Sequence, residues 1–305
     1  MSSISRTQAL TISHADVLGS YIKTLETDQL LPRIPKMAVR GDSLQVADVA
    51  TLATASFVTS GGTADASATD YDTPARSYPL RRVPTRVEVN GDIAQNVSMI
   101  NDVFEQQIEA KMIAMWSAVG SKLIYGTGVD PEPAGLQTLA ALHPSPPPGL
   151  GTGITLAALD DLISRIRPWD GDTPRAFVMN RGQYAKVTAA ARAAGLDLDV
   201  RPDAVLGRPL AHYMGVPLLV SDYILDTEAG STTSIYLVIL GPRAGEPQFG
   251  GLVWCYNETT GAGIKVDGPH RTSATTDVMF ATLDLNIAFA SLSTGSVVRL
   301  SGVTP

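Results

Sequence analysis

The sequence predicts an α+β fold, and three observations carry that prediction. A single amphipathic helix of about 26 residues, ~39 Å at ~1.5 Å per residue, dominates the middle of the chain. The second half holds apolar strand-like runs at Ala176 to Met179, Ser234 to Leu240, Phe249 to Tyr256, Gly263 to Asp267 and Asp277 to Phe289, without regular alternation with helices. No repeat of solenoid period interrupts this order.

Residues 1 to 42 mix short apolar pieces with Pro32, Pro35 and Gly41, and read as a mostly extended arm with one turn of helix near His14 to Thr24. Leu44, Val46, Val49, Leu52, Phe57 and Val58 then make a β-permissive stretch, followed by a small, polar segment from Ser60 to Asp72. A second extended stretch, Ser77 to Asn90, alternates Arg82, Val83, Pro84, Thr85, Arg86, Val87, Glu88 and Val89. Residues 43–90 are thus expected to form a two-stranded excursion with a soft tip, too poor in large apolar residues to build its own core. A disordered insertion is the alternative.

The long helix follows. Ile100, Val103, Phe104, Ile108, Met112, Met115, Trp116, Val119 and Leu123 recur in steps of three and four and make one stripe, with Phe104, Ile108, Met112 and Trp116 at its centre. Ser98 is placed to cap it, and Asp102, Glu105 and Glu109 sit in the early turns, where the helix dipole favours negative charge. Gly126 and Gly128 are expected to supply the left-handed or extended backbone that ends it, before Pro131 and Pro133. Beyond a connector rich in proline and glycine (Pro144 to Gly153), Leu156 to Ile166 reads as a helix capped by Thr155. Arg181 to Ala194 reads as an alanine-rich helix closed by Gly195, and short β segments punctuated by Gly207, Pro209, Gly215 and Pro217 follow.

Composition narrows the function. A formal charge of −7 disfavours a nucleic-acid reader built on a basic stripe. The single cysteine, Cys255, can make neither an internal disulfide nor a cysteine metal site, and its apolar surroundings suit a buried small hydrophobe. Met1 to Leu10 lacks the apolar block of a signal peptide, and the longest purely apolar run, Ile235 to Leu240, is too short to span a bilayer. No membrane association and no cofactor are expected.

The search for chemistry is correspondingly thin. Gly149, Gly151 and Gly153 precede a helix, but Pro146 to Pro148 stand where a dinucleotide loop needs a strand, so a linker is the better reading. His14, His143, His212 and His270 are scattered. Asp197, Asp199 and Asp203 approach a calcium-loop spacing, yet Arg201 and Pro202 occupy positions that such a loop needs for a ligand and a glycine. Asp160 and Asp161 are adjacent on a helix and point apart. Arg81, Arg82 and Arg86 form the one dense basic patch, either a solvated strand edge or a docking surface for carboxylates of a neighbouring subunit. Asp70 and Asp72 lie in the soft tip as solvated carboxylates and further contact candidates. No catalytic, cofactor or metal residues are assigned.

The order of arm, long excursion, spine helix, Gly126-Thr127-Gly128 exit and Pro133-Ala134-Gly135-Leu136 resembles the major capsid proteins of tailed bacteriophages, with their Hong Kong 97-type fold. Val178, Met179 and Asn180 with Tyr184, the segment Leu206 to Pro209, the segment Gly215 to Val220, and the ending Val278 to Phe289 with Val297 to Gly302 continue the likeness. The resemblance implies an N-terminal arm (1–42), an extended loop (43–90), a peripheral domain (91–142 and 248–305) and an axial domain (143–247). It implies a non-catalytic subunit that assembles as hexamers and pentamers into an icosahedral virion shell in the host bacterial cytoplasm. Double-stranded DNA is enclosed without sequence-specific contacts; a portal and a separate scaffolding protein, or no scaffold at all, are expected, and a decoration protein is a further candidate partner. The excursion has no lysine, so no isopeptide crosslink from it is expected. Two other readings compete: an encapsulin-type nanocompartment shell around a cargo enzyme, which uses the same fold, and a soluble α+β enzyme with an unrecognised site.

Overall fold

The computed structural model describes residues 28–47, 49–51, 70–71, 76–90, 100–166, 174–202, 209–228, 230–241, 250–271 and 278–305. The helical turn expected near His14 to Thr24, the Ser98 cap, the tip of the excursion with Asp72, and Leu206 to Arg208 lie outside these residues.

Two sheets organise the chain. The first is assembled around one long strand. Strands β1 (Lys36–Val39), β6 (Arg81–Asn90), β12 (Leu252–Asn257), β13 (Lys265–Arg271) and β14 (Val278–Ser291) run in the order β1-β12-β14-β13, with β6 also paired to β14. The length of β14 follows from its alternation. Ala281, Leu283, Leu285, Ile287 and Phe289 are buried, whereas Thr282, Asp284 and Asn286 on the other face are not. Residues 278–287 pair with β6 and residues 288–291 with β12.

The spine helix, α1 (Ile100–Tyr125), lies across the inner face of this sheet. Met112, Met115, Trp116, Val119, Leu123 and Ile124 are buried. Trp116 meets Trp254 of β12 edge-on, with ring centroids 5.5 Å apart, and Trp254 meets Phe289 of β14 at 6.3 Å. Such aromatic pairs add roughly 0.5–1.5 kcal/mol each beyond the area they bury. Ile108 is half-buried against the same core, while the side chain of Phe104 lies outside the described residues. Gly120 belongs to the buried face because a Cβ there would stand 2.2 Å from the ring of Tyr223.

The helix ends differently from the sequence expectation. Gly128 does adopt the left-handed backbone, with φ of 76°. Gly126 is needed for close approach instead: a Cβ there would sit 2.2 Å from the carbonyl oxygen of Pro133. The chain reverses in a tight hairpin, held by Gly135 N–H donating to Gly126 O (2.8 Å) and Gly128 N–H to Pro133 O (3.1 Å). Glu132 accepts from the Thr127 N–H at 3.2 Å and pairs with Lys122 on the last turn of the helix. A short helix, α2 (Leu136–Ala140), then returns the chain to the core.

The second sheet has six strands, β7 (Arg175–Met179), β8 (Asp199–Pro202), β9 (Pro209–Tyr213), β10 (Val216–Val220), β11 (Thr233–Ile239) and β15 (Val297–Val303), in the order β15-β11-β7-β10-β9-β8. Helices α3 (Leu156–Arg165) and α4 (Arg181–Ala193) contribute to its own apolar core, in which Leu159, Leu162, Phe177, Val187, Leu218 and Leu237 are buried. The expected Thr155 cap forms, its Oγ1 accepting from Ala158 N–H at 3.3 Å, and Asn180 caps the next helix, its Oδ1 accepting from Gln183 N–H at 2.8 Å. The connector at 149–152 is not a free linker. Leu150 and Gly151 donate to the carbonyls of Ser301 and Gly302, and Thr304 donates to Thr152, which covers the β15 edge of the sheet.

The excursion is two-stranded, as expected, but shorter. Strand β2 (Ser43–Val46) pairs with β5 (Arg76–Pro79), and β3 (Val49–Thr51) with β4 (Asp70–Tyr71). Residues 81–90 were grouped with it by sequence, yet they join the five-stranded sheet, because Val83 and Val87 give β6 an inward apolar side that matches β14. Residues 28–39 are likewise more than a loose arm. Leu30, Leu31 and Ile34 are buried, and β1 lies parallel to β12.

Candidate functional site

The root of the excursion is built into the body. Tyr78 is buried and donates to the Ser291 carbonyl at the end of β14 (3.3 Å), and Arg76 donates to the Tyr78 hydroxyl (2.8 Å) and to the same carbonyl (3.3 Å). Beside this root, a groove of about 290 Å³ is lined by Tyr78, Pro79, the helix-exit hairpin around Val129 and Pro133, and Leu139, Leu142 and Phe289. Past the root, β3 and β4 pair with one another only, among the described residues.

The basic patch lies just beyond, on β6. Arg82 makes a two-pronged ion pair with Asp284 of β14 (2.7 and 2.5 Å), and that pairing raises its pKa. Arg81 pairs with Asp130 of the helix-exit hairpin. Arg86 pairs with Glu88 at 2.7 Å and lies over the Phe280 ring at 4.0 Å. Each arginine therefore has an acidic partner in its own chain, and the side chain of Arg82 remains 65% exposed. Asp70 stands on β4, far along the excursion.

The structure brings together a polar cluster that the sequence does not announce. Glu228 accepts from the Tyr125 hydroxyl at the end of the spine helix (2.6 Å), from Ser234 of β11, and from Arg299 of β15 (3.0 Å). Arg299 also donates to Ser234 (2.9 Å), and the Leu225 N–H donates to the Tyr125 hydroxyl (2.8 Å). The Glu228 side chain is 7% exposed. Burial and the neighbouring Glu228 push the Tyr125 pKa upward, and burial does the same for Tyr236. Tyr125 and Glu228 are 103 positions apart and Glu228 and Arg299 are 71 apart, so no local motif could have shown the cluster. These bonds fasten the end of the helix to β11 and β15 of the six-stranded sheet.

The remaining sequence candidates are dispersed. His143 is buried and accepts from the Ser145 N–H (3.1 Å), and burial lowers its pKa. His212 is on β9, His270 on β13 stands 3.2 Å from Asp267, and His14 lies outside the described residues. Asp160 accepts from Tyr213 (2.8 Å), raising the tyrosine pKa to about 12 together with burial, whereas Asp161 pairs with Arg165 on its own helix (2.8 Å). Asp199 is exposed and pairs with Arg201 at 2.6 Å. Among the described residues no group of three or more His, Cys, Asp or Glu side chains is arranged to hold a metal ion, and no helix is long and apolar enough to cross a membrane.

No family model matches the sequence, and no curated protein does. The fold, by contrast, has solved counterparts. The chain is similar to the holo-SrpI encapsulin of Synechococcus elongatus, with a TM-score of 0.66 at 21% identity over 90% of this chain and 87% of the other. It is similar to the capsid of the native GTA particle, with a TM-score of 0.58 at 16% identity over 90% of each chain. The capsid protein of the cyanophage A-1(L) gives a TM-score of 0.61 at 12% identity, covering 90% and 92%. The fold is therefore the Hong Kong 97-type shell fold, found here with its spine helix, its excursion and its two sheets.

Proposed function

We propose that this chain is the major capsid protein of a tailed double-stranded DNA bacteriophage, a structural and non-catalytic subunit that assembles as hexamers and pentamers into an icosahedral head. The observation that carries the reading is the whole-chain likeness to capsid subunits, which includes the GTA and cyanophage capsids over about nine-tenths of each chain. Residues 28–42 end the arm, 43–80 act as the extended loop, 81–142 with 248–305 form the peripheral domain, and 143–247 form the axial domain. A strand pair that, among the described residues, pairs only with itself suits a subunit whose neighbour supplies the missing surface. The exposed side of Arg82, with Arg81 and Arg86 nearby, and Asp70 and Asp72 on the excursion are the proposed contacts between subunits. A portal, a separate scaffolding protein and a decoration protein complete the assembly. The acidic balance suits a wall that holds DNA without gripping it.

The likeness to the SrpI encapsulin favours a second reading, a nanocompartment shell around a cargo protein. The contents separate the two. Particles purified from the native host, treated with nuclease and opened, release protected double-stranded DNA if the shell is a phage head. Release of a single stoichiometric protein without DNA would establish the compartment instead.

A further inference from the structure

The segment that enters the first sheet as β1 begins by touching the second. Asp28 forms an antiparallel bridge with Ser221, just past the end of β10, and Gln29 exchanges hydrogen bonds with Val220: its N–H donates to the Val220 carbonyl and its side-chain oxygen accepts from the Val220 N–H, both at 3.1 Å. Eight residues later the same segment is strand β1, parallel to β12. Residues 28–39 thus tie the two sheets together, and Asp28 is the first knot.

Asp28 is fully buried. One carboxyl oxygen, Oδ1, accepts from the Leu30 N–H at 3.0 Å. Among the described residues the other, Oδ2, and the hydroxyl of Ser221 across the bridge are buried and make no hydrogen bond of ordinary geometry, although the hydroxyl is near enough to favour the carboxylate. A buried anionic oxygen without a donor is unfavourable, while a proton on that oxygen removes the charge and gives it something to donate. The charged groups around it do not relieve the problem. Asp222, on the segment leaving β10, adds repulsion and is itself held by Arg181 of α4 at 3.0 Å. Asp226, further along that segment, is taken by Asn180. Arg33 follows on Asp28's own segment.

We propose that Asp28 is a proton-operated clasp: protonated, it locks residues 28–34 against the end of β10, and ionised, it loosens that lock and with it the tie between the two sheets. Burial is the dominant influence on this carboxyl and raises its pKa from 3.8 to about 6, with the Leu30 and Leu31 N–H groups and Ser221 opposing the rise. The direction follows from linkage. A group whose pKa is higher in the closed state than in the open one stabilises closure fully below the open-state value. That stabilisation is lost as pH rises through the closed-state value. A difference of about two pKa units corresponds to a roughly 100-fold change in the opening equilibrium. The clasp is therefore tightest below about pH 4, weakens as pH rises through about 6, and reaches its weakest level near neutral pH.

Hydrogen–deuterium exchange of the full chain, followed by mass spectrometry from about pH 4 to pH 8 and corrected for the intrinsic pH dependence of amide exchange, tests this. Opening of residues 28–34 should rise roughly 60-fold between pH 4 and pH 8, about half of it by pH 6, and level above about pH 7, while residues 297–303 of β15, read in the same digest, do not follow. Asp28→Asn should flatten the curve, and Ser221→Ala should move its midpoint to higher pH by removing a donor to the carboxylate. A flat wild-type curve, a rise shared equally by β15, or an Asn variant that keeps the rise would overturn the clasp. Should Asp28→Asn fail to fold, the wild-type curve and the Ser221→Ala midpoint decide the matter.

Discussion

The junction around Glu228 is where the spine helix is fastened to the six-stranded sheet, and Glu228→Gln measures how firmly. The substitution keeps the shape of the side chain and removes its charge. Wild-type Glu228 receives three side-chain donors, Tyr125, Ser234 and Arg299, with a side chain only 7% exposed. Breaking a fully buried ion pair typically destabilises by about 3–5 kcal/mol. Arg299 is 24% exposed and recovers some hydration, which reduces the expected loss to about 3 kcal/mol. For a chain of this length that is a fall of roughly 5 °C in the unfolding midpoint. The assay is thermal or guanidinium unfolding of unassembled subunit at matched protein concentration, because assembly would add its own stabilisation. Tyr125→Phe alone should lose about 1.5–3 kcal/mol, the range for a hydrogen bond to a charged group. The double variant should lose less than the sum of the two, since Tyr125→Phe removes the same 2.6 Å bond whose charge assistance Glu228→Gln takes away. A midpoint within 1 °C of wild type for Glu228→Gln, or strict additivity with Tyr125→Phe, would refute the reasoning that the cluster is a coupled fastening.

Three further expectations concern other parts of the molecule. Gly126→Ala should destabilise the subunit by about 1–3 kcal/mol or more in denaturant titration, because its Cβ would press to 2.2 Å on the Pro133 carbonyl. Gly151→Ala is its control: nothing stands within 4 Å of the new Cβ, and only the cost of its left-handed backbone (φ 65°) remains. Cys255 is buried, and burial pushes its thiol up to about 12, so it should resist a thiol reagent at neutral pH and react stoichiometrically only when the protein is unfolded. Replacing residues 47–75 by a short turn between β2 and β5 should leave the unfolding midpoint of the subunit nearly unchanged and abolish closed particles. Closed particles from that variant would remove the excursion from the assembly contacts.

The parts of the fold legible in the sequence were those written in a single period. The spine helix follows the heptad-like spacing of Met112, Met115, Trp116, Val119 and Leu123, and every one of these is buried. The cap Thr155 and the stop at Gly195, with φ of 69°, are local chemistry and sit where local chemistry puts them. What depended on partners distant in sequence was not legible. The alternation of residues 81–90 fits an excursion strand and a sheet strand equally well, and only β14, almost 200 positions away, decides between them. Lys36–Val39 is too short and too weakly patterned to announce a strand until β12 is beside it. Gly126 shows that a glycine can be needed for a reason the sequence does not state: a Cβ there would stand 2.2 Å from the Pro133 carbonyl oxygen. Among the candidate residues, Met112 and Trp116 needed only helical spacing. The partners of Arg81, Arg82 and Arg86 came from Asp130, Asp284 and Glu88, two of which belong to other elements.

The central claim is that this chain builds a closed shell, and the most direct test is electron cryo-microscopy of the purified, full-length protein. The account predicts closed icosahedral particles made of pentamers and hexamers, with the excursion of each subunit lying on its neighbour and the spine helix packed on β12 and β14 of its own chain. A homogeneous population of 32.1 kDa monomers or of small oligomers that never closes, under all assembly conditions and with the native companion proteins present, would contradict it.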